Sequence, residues 1–232
     1  MDRIELVLLV SRIRTCYSFY MNNVEIIKLN NIINQWSKEK PKLVIGIDGY
    51  TGVGKTTLLK KLAKLNPNIL PVNRDDFQIS RNKFRKLYKN LNEKQRSVIF
   101  ELKMNDSAKL KSLVDTYRKS NRHYKIKAYD GISGKISISK TFDFSKKIMV
   151  IEGVFMFHPK LLNKLWDRRI YVSGNVKAID KRRVAREKKR WGKSYFPETN
   201  PDSYFRQVII ALIRYIKQFK PEKSADKVIY VD

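Results

Sequence analysis

Residues 49–56 read Gly49-Tyr50-Thr51-Gly52-Val53-Gly54-Lys55-Thr56 and match G-x-x-x-x-G-K-[ST] at every fixed position. That spacing serves phosphate binding. Gly49, Gly52 and Gly54 let backbone N–H groups turn inward around phosphate oxygens. Thr51, Val53 and Thr57 fall in the same cradle, and a helix starting near Gly54 adds the positive end of its dipole. Lys55 would bridge the β- and γ-phosphates of a nucleoside triphosphate, and the Thr56 hydroxyl would ligate Mg²⁺. A plain glycine turn is the alternative. A strand signal before the motif and a helix signal after it weigh against that.

Carboxylates and guanidinium groups supply the remaining chemistry. Asp75-Asp76 follows the short apolar run 69–72, and Glu152 directly follows another, Ile148-Met149-Val150-Ile151. In open α/β sheets ligands sit beyond the carboxyl ends of strands, which turns these acids toward the phosphate cradle. One of the two aspartates could orient and deprotonate an attacking hydroxyl or hold the metal, and Glu152 stands where a metal-side carboxylate is needed. The competing readings are an Asx turn for the aspartates and a cap or loop position for Glu152. Between Lys177 and Lys193 there are nine basic residues and two acidic ones. Arg183, Arg186 and Arg190 fall at i, i+3 and i+7, on one helix face. On a closing lid they could neutralise charge on a transferring phosphoryl group. A solvated basic face and a nucleic-acid contact compete with that reading. No aromatic ladder interleaves with the arginines, which weighs against a single-strand platform.

These groups need a scaffold, and the hydrophobic pattern predicts one. Lys42–Ile47 reads as a buried parallel strand, followed after the glycine motif by a helical pattern through Leu58, Leu59, Leu62, Ala63 and Leu65. Residues 82–122 hold no glycine or proline and read as helices. Lys125–Ser139 alternates around Asp130-Gly131-Ile132-Ser133-Gly134, a β-hairpin pattern. Further strands are expected at 148–151, 170–172 and 228–231, and helices from Val176 and over 202–219. The sum is an α/β fold with a parallel sheet covered on both faces, a small hairpin insertion and a helical lid. Residues 1–40 read as an N-terminal extension and helix, and 41–232 as the main domain. Residues 1–21 look detachable, with Met21 an alternative start. Asn22 or Asn23 would cap a helix whose apolar side carries Val24, Ile27, Ile32, Ile33 and Trp36.

Composition sets the outer bounds. With 232 residues and 42% hydrophobic content the chain can bury a core. No apolar run approaches the roughly 20 residues of a membrane helix. One cysteine and two histidines leave no disulfide framework and no cysteine- or histidine-built metal centre. The expectation is a cytoplasmic protein with no membrane contact. The 50 basic against 22 acidic residues, net +28, would attract polyanions. Lysines are spread along the chain instead of forming one block, which favours compositional drift over a dedicated nucleic-acid surface.

Taken in order, five segments resemble a known family: Ile45–Leu58, Arg74-Asp75-Asp76-Phe77, Val150–Phe155, Asp167–Tyr171 and Lys181–Glu187. This set is similar to the uridine kinase-like group of P-loop kinases, which includes uridine–cytidine kinases, nicotinamide riboside kinases and phosphoribulokinase. The resemblance spans about residues 42–220 and implies a P-loop NTPase fold. It implies ATP and Mg²⁺ as cosubstrate and metal, and a small-molecule, nucleoside-like acceptor. It also implies roles: Asp75 as the acid that activates the acceptor hydroxyl, Glu152 as the metal-side glutamate, and Arg183 and Arg186 as lid arginines, with Arg190 beside them. Asp76, Tyr129 and Asp130 would face the acceptor. Uridine kinases carry a histidine and an arginine shortly after the Tyr-Asp pair; here Gly131–Lys135 offers neither. A nucleotide hydrolase acting as a switch, or an ATP-binding protein that contacts nucleic acid, are the alternatives. The chain has no N-K-x-D guanine signature.

Overall fold

The structure, a computed structural model, describes residues 23–162 and 164–231, so the expected detachable segment 1–21 lies outside the described residues. Helix α1 (Asn23–Trp36) precedes strand β1 (Leu43–Gly49), α2 (Lys55–Leu65) and β2 (Ile69–Asn73). A 3-10 turn (Arg74–Phe77) leads to α3 (Arg81–Leu87), α4 (Glu93–Lys103) and α5 (Ser107–Lys119). Strands β3 (His123–Tyr129), β4 (Ile136–Asp143), β5 (Ile148–Glu152) and β6 (Arg168–Gly174) follow. The chain then forms α6 (Val176–Trp191), α7 (Tyr204–Phe219) and β7 (Lys227–Val231).

Five strands build one parallel sheet in the order β2-β5-β1-β6-β7. All seven residues of β1 are buried, as a central parallel strand covered on both faces requires. Its side chains alternate between two cores. Leu43, Ile45 and Ile47 join α1, α2 and α7 on one face. Val44 joins Leu110 and Tyr117 of α5, Phe142 of β4 and Trp166 on the other. Strands β3 and β4 pair antiparallel as a separate hairpin, longer than the expected Lys125–Ser139. Phe142, opposite Tyr124, is the one buried residue of β4, while Ile136 and Ile138, which the alternation pointed inward, are exposed because the tip of the hairpin stands away from the core.

Helix α1 is rotated relative to the expectation. Its buried stripe is Ile26, Leu29 and Ile33, while Val24 and Ile27 are 51% and 49% exposed. Apolar residues lie on more than one side of this helix, and contacts choose between them. The Asn66 amide at the end of α2 donates to Asn30 Oδ1 (3.0 Å) and Asn34 Oδ1 (2.8 Å), which fixes the rotation. Among the described residues no helix is long and apolar enough to cross a membrane.

If α1 is part of the core, Ile33→Ala will cost about 2–5 kcal/mol in urea-induced unfolding. Ile27→Ala will stay within about 0.5 kcal/mol. Equal losses at the two positions would contradict this packing.

Candidate active site

Three neighbouring strand ends deliver the site. Register places Glu152 of β5 beside Ile47 of β1 on one side and Asn73 of β2 on the other. Parallel strands lie about 4.8 Å apart. The loop after β1, the end of β5 and the 3-10 turn after β2 therefore open into one crevice. There a cavity of about 1140 Å³ is lined by Thr51–Thr57, Asp75, Asp76, Tyr129, Glu152, Arg183, Arg186 and Arg190. A drug-sized ligand occupies a pocket of roughly 300–1,000 Å³, so a nucleotide and a smaller second molecule fit together.

The loop after β1 turns through left-handed backbone. Gly49 has φ +149°, and a Cβ there would lie 2.3 Å from the Val172 carbonyl oxygen of β6. Gly52 has φ +83° and packs 3.1 Å, measured from its missing Cβ, from Cβ of Arg183. No other residue type tolerates both the backbone and the contact at Gly49. The buried Lys55 ammonium donates to the Gly49 and Tyr50 carbonyls, both at 2.9 Å. Burial pulls its pKa down, against Glu152, Asp48 and Asp75. The Thr56 hydroxyl donates to Glu152 Oε1 at 2.8 Å. Burial pushes the Glu152 carboxyl above the usual carboxylate range, against Lys55 and Thr56. A hydroxyl and a carboxylate at this separation are hard oxygen donors that suit Mg²⁺. Among the described residues no three His, Cys, Asp or Glu side chains form a protein-only cage, and Mg²⁺ needs none, since one or two carboxylates plus substrate phosphates hold it.

Beside these, the structure assembles groups that the sequence did not flag. Asp48, the last side chain before Gly49, is fully buried. Its carboxylate accepts from Tyr215 Oη (2.6 Å), the Gly49 N–H (2.7 Å) and the Phe157 N–H (3.2 Å). A lone acid closing the run Ile45-Gly46-Ile47 was a signal in the sequence; its partner Tyr215, 167 residues away, left none. The 3-10 turn is pinned by Asn73 Oδ1, which accepts from the Asp75 N–H at 2.7 Å, and by the Asn105 amide on the Arg74 carbonyl at 2.9 Å. That turn leaves Asp75 exposed in the cavity and Asp76 buried, in an ion pair with Lys140 of β4 at 2.6 Å.

The basic helix α6 does not present its arginines alike. Arg183 is buried, and its guanidinium contacts Asp180 at 3.0 Å and Glu198. Arg186 is exposed and bonds Glu187 Oε1 at 2.7 Å, while the other Glu187 oxygen accepts from the Trp191 indole at 3.0 Å. Arg190 lies over the Trp191 ring and reaches the hairpin turn, with Nη2 3.2 Å from where a Cβ on Gly131 would sit. Tyr129 lines the cavity as expected of an acceptor-side residue. Asp130 does not: its Oδ1 accepts from the Ile132 N–H at 2.9 Å inside its own turn. Arg81, Phe84, Arg85 and Tyr88 of the α3 region also line the cavity; their helical segment carried no motif.

Comparison with known proteins bears on this arrangement. A family model described as phosphoribulokinase / uridine kinase family matches residues 44–231. Human nicotinamide riboside kinase 1 is 26% identical over 196 residues, 82% of this chain and 83% of its own. Uridine kinase of Borreliella burgdorferi is 24% identical over 198 residues, 81% of this chain and 91% of its own. A solved structure from Bacillus stearothermophilus, described as a possible uridine kinase, superimposes with a TM-score of 0.59 at 20% identity. It covers 87% of this chain and 99% of that one. The parallel sheet, its helices and the glycine loop thus form a P-loop NTPase fold.

The Asp48 anchor predicts a cost for removing one hydroxyl. Tyr215→Phe leaves a buried carboxylate with one partner fewer and is expected to lower stability by about 1–3 kcal/mol in chemical denaturation. An unchanged midpoint would show that the Tyr215 bond does not hold the loop.

Proposed function

The chain belongs to the phosphoribulokinase / uridine kinase family, and from that premise we propose that it transfers the γ-phosphoryl group of ATP to a hydroxyl of a small molecule, a nucleoside or similar ribose compound. One observation carries the reading: Lys55, the Thr56–Glu152 pair and Asp75 meet in a single cavity with room for a second molecule. The relatives named for nicotinamide riboside and uridine support a nucleoside-like acceptor.

The residues divide the work. Amides of residues 49–57 and the Lys55 ammonium bind the nucleotide phosphates. Lys55 exchanges the carbonyls of Gly49 and Tyr50 for phosphate oxygens. Thr56, Glu152 and Asp75 are the side chains that would hold Mg²⁺, which when bound neutralises phosphate charge. Asp75 takes the proton of the acceptor hydroxyl. The hydroxyl oxygen forms the new bond to the γ-phosphorus, the bond from that phosphorus to the bridging oxygen breaks, and ADP leaves with the electron pair. Arg186, exposed on α6, would stabilise the charge that develops during transfer. Arg183, facing Asp180 and Glu198, secures α6 against the loop at Gly52.

The test is ATP consumption with Mg²⁺ in the presence of uridine, cytidine, nicotinamide riboside or no acceptor. A rate that depends on one acceptor is expected, and equal rates with and without acceptors would favour a hydrolase. Lys55→Ala should lower the acceptor-dependent rate by at least about 100-fold while leaving the unfolding midpoint in place. Wild-type turnover in that variant would sink the mechanism.

A further inference from the structure

Beyond the turn that carries Asp75, the cavity wall passes to α3, the hairpin turn and the end of α6. The hairpin turn carries glycine at 131 and 134. Gly134 has φ +76°, and a Cβ there would sit 2.7 Å from Arg81 Nε and 2.8 Å from Arg81 Cζ. The Arg81 guanidinium fills the space that a side chain at 134 would need. It is fixed in place. The Arg81 N–H donates to the Gly134 carbonyl at 2.8 Å, and Nη2 donates to the carbonyls of Gly131 and Ile132, both at 3.1 Å. Nε and Nη1 have no hydrogen-bond partner among the described residues.

Other guanidinium groups close on the same turn. Arg190 approaches Gly131 from α6, and Arg85, one helical turn after Arg81, lines the same cavity. Apart from Asp75, which is exposed in the cavity, the acids near them are committed elsewhere. Asp76 holds Lys140, and Asp202 holds Arg96. Asp130, which feels the Arg81 charge, gives its carboxylate to the hairpin turn. Forked guanidinium donors that form no ion pair among the described residues match a carboxylate or phosphate in geometry and sign.

We infer that Arg81 and Arg190, with Arg85 at the rim, form an anion subsite, so that the acceptor carries a carboxylate or phosphate besides the hydroxyl that is phosphorylated. The inference rests on the kinase reading above and narrows it from ribose compounds in general to anionic ones.

Phosphoryl transfer from ATP with Mg²⁺ is measured to pairs that differ by one anionic group: D-ribose and D-ribose 5-phosphate, glycerol and D-glycerate, nicotinamide riboside and nicotinate riboside. The anionic member of at least one pair is expected to have the higher kcat/KM. Arg81→Ala should raise its KM roughly 10- to 100-fold, with a smaller change in kcat. Arg81→Lys should recover only part, because the fork is lost. Arg85 makes no hydrogen bond or ion pair among the described residues, so Arg85→Ala removes charge without loosening the turn and should act in the same direction. A preference for the neutral members, unaltered in both alanine variants, overturns the subsite and leaves the kinase reading standing. If no compound is phosphorylated, the kinase reading fails and the subsite is read by calorimetry. D-ribose 5-phosphate is then titrated into protein loaded with a non-hydrolysable ATP analogue. Binding that is lost in Arg81→Ala supports the subsite, and no binding to the wild-type protein overturns it.

Discussion

The side-by-side parallel alignment of β2, β5 and β1 is the constraint on which the rest of the site depends. Parallel strands end at the same edge of the sheet, so the groups that follow them need no long reach to meet. The pairing of Glu152 with Ile47 and Asn73 sets their order across the crevice. Each strand is then finished by a local device. Gly49 lets the chain turn against the Val172 carbonyl, Asn73 caps the 3-10 turn that exposes Asp75, and Glu152 closes β5 against the Thr56 hydroxyl. Asp48 connects this edge to the helical layer. Its carboxylate binds the loop amide of Gly49 and the Tyr215 hydroxyl of α7 together, so the phosphate loop inherits the rigidity of the core.

A second constraint is that the site buries ionic groups, and each must be satisfied before any ligand arrives. Lys55 is bonded to carbonyls of its own loop, Glu152 to Thr56, and Arg183 to Asp180 and Glu198. Removing one member of such a set strands the others, which is why these groups act as units. The same logic divides the basic helix α6. Its one buried guanidinium is structural glue between the phosphate loop and the segment around Glu198, while Arg186 and Arg190 stay at the cavity. The overall charge of +28 plays no part in that division, which is decided by which arginine meets Gly52.

The phosphate-binding half of the site was legible in the sequence because it is local. The glycine spacing, Lys55 and Thr56 lie within eight residues, and Asp75 and Glu152 each follow a short apolar run that reads as a strand. The alternating pattern of the hairpin was visible for the same reason. What the sequence could not show is pairing across distance. Tyr215 with Asp48, Lys140 with Asp76 and Glu198 with Arg183 are set by the sheet order and helix packing. The rotation of α1 was misread because apolar residues occupy more than one of its sides, and an asparagine on α2 decides among them. For Asp130 a motif resemblance gives only position in the chain, whereas its Oδ1 accepts from the Ile132 N–H of the turn it starts.

The two ends of the cavity are therefore built from different kinds of structure, and this bears on how one fold serves many acceptors. The nucleotide end is made of strand termini locked into a sheet, where a change of residue disturbs the core. The acceptor end is made of a short helix, a hairpin turn and the tip of α6, which touch one another through a few side chains on carbonyls. Substitutions there alter recognition without altering the sheet. In this chain the hairpin carries no side chain at Gly131 or Gly134, and arginines from α3 and α6 approach both positions. On the proposed reading, phosphoryl chemistry and acceptor choice would be separated along the cavity, the first set by strand register and the second by which cations reach the turn.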